Sequence, residues 1–131
     1  MYHFVCPAKY RKEVFTKEVS ETLKKVCLEI QECYEIEFLE IGTDKNHVHF
    51  LVQSVPKYSI TKIITTIKSI TGKELFKRHI DLKKQLYGGN FWTARYFVNT
   101  VGRSNCETAI IEYIKNQDRE KEYEQLYFDI N

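Results

Sequence analysis

His47 and His49, two imidazoles at i and i+2 within Asn46-His47-Val48-His49-Phe50-Leu51-Val52, are the side chains here whose type and spacing first suggest chemistry. The surrounding run is apolar and reads as a strand. In a strand these two rings point the same way, roughly 7 Å apart at Cα, so both can reach one metal ion if a third ligand comes from elsewhere. The same spacing also suits two ordinary histidines on a half-buried strand. Further along, Tyr113 and Gln117 stand four residues apart. On a helix they are neighbours one turn apart, with Cβ atoms roughly 5 to 6 Å from each other.

The elements that would position these groups follow from periodicity. Tyr2 to Cys6 reads as a first strand ended by Pro7, followed by the basic, aromatic loop Lys9-Tyr10-Arg11-Lys12. From Thr16 to Ile30, apolar residues recur at steps of three and four, which predicts an amphipathic helix. Tyr34 to Ile41 alternates and then slips phase at Leu39, which predicts a strand with a bulge or a change of environment there. Gly42-Thr43-Asp44-Lys45 turns the chain into the histidine strand, so these two strands should form an antiparallel hairpin. A second helix is expected from about Ser59 to Lys77, its polar side carrying Lys62, Lys73 and Lys77 and continuing into Arg78. After Gly88-Gly89-Asn90, Phe91 to Val98 predicts an aromatic-rich strand. Ser104-Asn105-Cys106-Glu107 has the form of a capping box, so a third helix should begin near Asn105, with Tyr113, Ile114 and Gln117 on its apolar face.

The order strand, helix, strand, strand, helix, strand describes an α+β, ferredoxin-like (RRM-like) antiparallel sheet with two helices on one face and an added C-terminal helix bearing Tyr113. Val48, Phe50 and Val52 should face the two helices, and His47 and His49 the other side. The third helix is the remaining element able to cover that side. At 131 residues the chain is expected to form one domain. Within it, the core spans about 1–101, the tyrosine helix about 105–118 and a tail 119–131.

Composition excludes little beyond disorder. The net charge of +2 is too small for bulk charge to drive nucleic-acid binding, so any such contact needs a local basic surface. Cys6, Cys27, Cys33 and Cys106 lack the close pairing of a zinc site, and no basic, then apolar leader opens the chain. Reduced thiols and a cytoplasmic location are therefore expected. No apolar run approaches a membrane span.

His47-Val48-His49 combined with Tyr113-Ile114-Lys115-Asn116-Gln117 resembles the single-tyrosine HUH transposases of the TnpA type, the family that includes insertion-sequence and REP-associated tyrosine transposases. The resemblance extends through Tyr2-His3-Phe4-Val5, Lys9-Tyr10-Arg11, and Phe91-Trp92 to Tyr96-Phe97, and leaves out Asp118 to Asn131. It implies that Tyr113 is the nucleophile, that His47, His49 and Gln117 hold a divalent metal, Mg²⁺ or Mn²⁺, and that single-stranded DNA is cut and rejoined through a 5′-phosphotyrosine link. It also implies recognition of DNA hairpins at element ends, and a homodimer in which the tyrosine helix of one subunit can complete the site of the other. Lys9, Tyr10, Arg11, Lys62, Lys73, Lys77 and Arg78 are the candidate DNA contacts, and Trp92 is either a second base-stacking ring or a core ring. Family members often carry Asp before the first histidine; here the residue is Asn46, with Asp44 nearby as a possible substitute. Two alternatives are a domesticated relative that processes repeated chromosomal palindromes and a ferredoxin-like nucleic-acid-binding protein without catalysis.

Overall fold

In the computed structural model, which describes residues 1–101 and 124–127, the chain runs β1 (Tyr2–Pro7), α1 (Lys17–Cys33), β2 (Ile36–Thr43), β3 (His47–Ser54), α2 (Ile60–Arg78), α3 (Ile80–Gln85), β4 (Phe97–Thr100) and β5 (Glu124–Tyr127). A single 3-10 turn, Lys9–Arg11, follows β1. Every neighbouring pair of strands is antiparallel, in the order β4-β1-β3-β2-β5. The first four strands with α1 and α2 form the expected ferredoxin-like arrangement. β5 comes from the tail, where no sequence pattern announced a strand, and pairs along the outer edge of β2.

Both long helices begin within a residue of where the periodicity places them, and each start is capped by a hydroxyl. The Thr16 hydroxyl accepts the Val19 N–H at 3.2 Å, and the Ser59 hydroxyl accepts the Lys62 N–H at 3.0 Å, each satisfying an amide that the first helical turn leaves without a partner. Their stripes, Val19, Leu23, Val26, Cys27 and Ile30 on α1 with Ile63, Ile64, Ile67 and Leu75 on α2, cover one face of the sheet. Beneath them lie Phe4, Cys6, Phe38, Ile41, Val48, Phe50 and Val52.

The aromatic segment departs from expectation. The strand read over Phe91–Val98 is confined to Phe97–Thr100, because Phe91 and Trp92 both enter the helix-covered core, their ring centroids 4.8 Å apart. A pleated strand would send consecutive side chains to opposite faces. The segment instead makes an isolated bridge between Ala8 and Trp92, and the Phe91 carbonyl accepts the Lys9 N–H at 2.9 Å. Gly72 permits this approach of α2: a Cβ there would stand 3.3 Å from Phe91 Cβ and 3.5 Å from Trp92 Cδ1. The Trp92 indole N–H donates to the Thr71 hydroxyl at 3.0 Å, and that hydroxyl donates to the Ile67 carbonyl at 2.6 Å.

Cys6, Cys27 and Cys33 are free thiols, while Cys106 lies outside the described residues. Burial pushes the Cys6 thiol up to about 12 and Cys27 well above its usual value, so both behave as small apolar groups. Among the described residues no helix is long and apolar enough to cross a membrane.

The indole contact generates a stability prediction. Trp92→Ala should lower the unfolding free energy by about 3–5 kcal/mol through lost burial and the cavity left behind. Thr71→Val should cost about 1–3 kcal/mol by leaving a buried N–H without its acceptor. Urea denaturation monitored by circular dichroism checks both.

Candidate active site

Pairing between β1 and β3 decides which side chains share a face. Pro7 stands opposite His47, Val5 opposite His49 and His3 opposite Leu51. Since Phe4, Cys6, Val48, Phe50 and Val52 point to the helices, alternation sends His3, Val5, His47, His49 and Leu51 to the other face. On β2 the phase slip at Leu39 is a bulge, with Phe38 opposite Val52 but Glu40 opposite Leu51. Strict alternation from Ile36 and Phe38 would have driven Glu40 into the apolar core. The extra residue keeps Ile41 in that core, opposite Phe50, and turns Glu40 to the histidine face, where it is 0% exposed. Gly42, the partner of His49, places no side chain on this face.

The histidines are enclosed, with His47 7%, His49 4% and His3 2% exposed. His47 Nδ1 lies 2.7 Å from Asn46 Oδ1, and Asp44 Oδ2 is 3.8 Å from the same nitrogen. A carboxamide oxygen only accepts, so in this bond His47 donates from Nδ1, and the neutral ring then carries its lone pair on Nε2. His49 Nδ1 lies 2.6 Å from His3 Nε2, with the two rings nearly parallel and their centroids 4.8 Å apart. When His49 donates in that bond, its own lone pair also sits on Nε2. Asn46 therefore performs the orienting role that a carboxylate would, and Asp44 supports it from further away.

This arrangement fits a divalent ion. Two imidazoles, 5.4 Å apart at their centroids, each have Nδ1 anchored, as metal-binding histidines normally do. Among the described residues no group of three His, Cys, Asp or Glu is placed to hold a metal, and Tyr113 and Gln117 lie outside those residues. His3 was not singled out from the sequence. Its signal was the i, i+2 alternation of the first strand, which acquires meaning only once β1 is paired beside β3.

The expected DNA contacts fall into two groups. Lys9, Tyr10 and Arg11 occupy the loop after β1, at the end of the sheet where His47 begins β3. Lys62, Lys73 and Lys77 are exposed on α2, in the layer covering the sheet face opposite the histidines. Arg78 is held by Glu29 and Glu74, each at 3.0 Å, and the Glu29 contact leads in raising its pKa. Trp92, read as either a base-stacking or a core ring, is a core ring.

Residues 1–117 match the family model described as "Transposase IS200 like". The ISDra2 transposase TnpA of Deinococcus radiodurans is 31% identical over 116 residues, an overlap of 88% of this chain and 82% of that protein. A crystal structure of a candidate transposase from Deinococcus radiodurans R1 superposes with a TM-score of 0.71 at 29% identity, covering 88% of each chain. A REP-associated tyrosine transposase, solved bound to a REP hairpin, shares the fold with a TM-score of 0.63 at 13% identity over 92% of this chain and 67% of that one.

The anchoring contacts predict the tautomers. Long-range ¹H–¹⁵N NMR should show His47 and His49 protonated on Nδ1 when neutral. Asn46→Val should remove that preference at His47 and leave His49 unchanged.

Proposed function

The chain belongs to the IS200-like transposase family, and on that premise we propose that it cuts and rejoins single-stranded DNA as an HUH endonuclease, with Tyr113 as nucleophile. The observation that carries this reading is the pair His47 and His49, held on one face with both Nδ1 atoms anchored. The Tyr113 phenol gives up its proton to water as its oxygen attacks the scissile phosphorus, the bond to the 3′ oxygen breaks, and that oxygen takes up a proton from water to leave as a 3′-OH. The 5′ side remains esterified to the tyrosine. With a phenol pKa of about 10, the phenolate is a better leaving group than an alkoxide, so the link stays reactive toward the 3′-OH of another strand without a nucleotide cofactor. A divalent ion, Mg²⁺ or Mn²⁺, held by His47, His49 and Gln117 would polarise the scissile phosphate and stabilise its developing charge.

The two described ligands contribute neutrality as well as position. Imidazole and carboxamide ligands add no charge of their own to the ion, and the Asn46 oxygen is the nearer of the two groups that orient His47. Hairpins near the element ends are proposed as the bound form of the DNA, held mainly through phosphates. Lys9, Arg11, Lys62, Lys73, Lys77 and Arg78 remain the cationic candidates, with Tyr10 beside them for an unpaired base. Of these, Lys9, Tyr10 and Arg11 stand at the histidine end. A homodimer that exchanges tyrosine helices belongs to the same proposal.

A covalent-adduct assay tests it. The protein is incubated with labelled single strands carrying the ends of its own element, with Mg²⁺, Mn²⁺ or EDTA, and resolved on a denaturing gel. A metal-dependent shifted band is expected, absent in Tyr113→Phe. In His47→Ala and His49→Ala it should be weaker by about 100-fold or more, the scale of losing one electrostatic stabiliser. No adduct on any strand, with DNA binding intact, would leave a binding protein without catalysis.

A further inference from the structure

Tyr10 and Tyr87 are both exposed, at 62% and 74%, and they meet each other from loops far apart in sequence. Their ring centroids are 5.9 Å apart at 70°, an edge-to-face contact that leaves ring surface open to solvent. Lys9 Nζ lies 5.1 Å from the Tyr10 centroid, and Lys12 Nζ lies 5.2 Å from that of Tyr87. The Lys9 ammonium also donates to the Gly88 carbonyl at 3.1 Å, which ties the two loops together.

The backbone is bent to present these rings. Among the described residues the non-glycine positions with positive φ are Tyr10 at 59°, Arg11 at 50° and Tyr87 at 58°, all in this one patch. A turn selected only for its path would favour glycine there. Bulky residues held in that region, facing water, point to a ligand. The patch also adjoins the histidine site. The Ala8 N–H donates to the Asn46 carbonyl at 2.8 Å and the Phe15 N–H to the Lys45 carbonyl at 3.1 Å, so the loop bearing Tyr10 is clamped at both ends to the residues that precede His47. Tyr10 comes three positions, roughly 10 Å of chain at most, after Pro7, the strand partner of His47.

We infer that Tyr10 and Tyr87 form a stacking platform for an unpaired base of single-stranded DNA beside the histidine site, with Lys9 and Lys12 favouring the adjacent phosphates. The inference rests on the DNA-cutting reading only for the identity of the ligand as DNA. Aromatic faces flanked by cations accept bases with little regard to sequence, because every base has a π-face, and a duplex keeps those faces covered.

The test uses the full chain in EDTA, so that binding is read without cutting. Fluorescein-labelled oligo(dT) and a duplex of the same length are the probes. Tyr10→Ala/Tyr87→Ala should weaken oligo(dT) binding about tenfold or more and leave duplex binding within about twofold. Tyr10→Phe/Tyr87→Phe should bind oligo(dT) like the parent, since the ring face and not the hydroxyl makes the contact. In the parent protein, oligo(dT) containing 5-iodouracil should photocross-link to Tyr10 or Tyr87, located by mass spectrometry. The platform is overturned if the alanine variant, with an unchanged melting temperature, binds oligo(dT) like the parent. It is also overturned if binding of both probes falls together or if the cross-links map only elsewhere. The adduct assay, run in parallel, separates the two ideas. Loss of oligo(dT) binding in a protein whose parent forms no adduct keeps the platform and removes the catalytic reading. Adducts from the parent with unaltered oligo(dT) binding by the variant do the reverse.

Discussion

The antiparallel register between β1 and β3 is the constraint on which the rest of the molecule depends. Side chains alternate with a period of two, so a slip of one residue would exchange His47 and His49 with Val48, Phe50 and Val52. Apolar pairs beneath the helices resist such a slip, with Phe4 opposite Phe50 and Cys6 opposite Val48. On the other face the contact between His3 and His49, diagonal across the same two strands, reinforces the same alignment. The pairing that builds the core is thus also the pairing that assembles the site.

A sheet face holding three buried imidazoles and a buried glutamate is costly in solvation, because polar groups removed from water need hydrogen bonds in return. Here those bonds also fix ring orientation. His47 is held by its own sequence neighbour and His49 by a residue from a different strand, so one anchor is local and the other exists only in the folded sheet. The small apolar cluster of Leu39 and Leu51, joined by Met1 and Val101, lies at the other end of this face and leaves the histidine end to polar groups. Rings fixed before a ligand arrives need little reorganisation when it does.

What was legible in the sequence follows from what is local. The two helical stripes and the phase slip at Leu39 depend on spacing within a single element, and periodicity exposes spacing; the hairpin needed only a short turn between two adjacent strands. His3 could not be recognised, because its role requires knowing which strand lies beside β1. The strand over Phe91–Val98 was misplaced at its start because aromatic content alone does not reveal that Phe91 and Trp92 enter the same core. β5 lacked any signal, and Tyr87 acquired meaning only through the Lys9–Gly88 bridge between loops. Tyr113 and Gln117 were marked by their family resemblance and lie outside the described residues.

The bulge in β2 carries a consequence for how this chain can change in length. Between Glu40 and the turn that leads into β3, the strand places Ile41 and Thr43 toward the helices and Glu40 toward the histidines. Removing or adding one residue there would invert that assignment for everything on one side of the change, whereas a change of two would restore it. The strand is therefore governed by parity: even insertions and deletions preserve both faces of the sheet, and odd ones must be absorbed by gaining or losing a bulge.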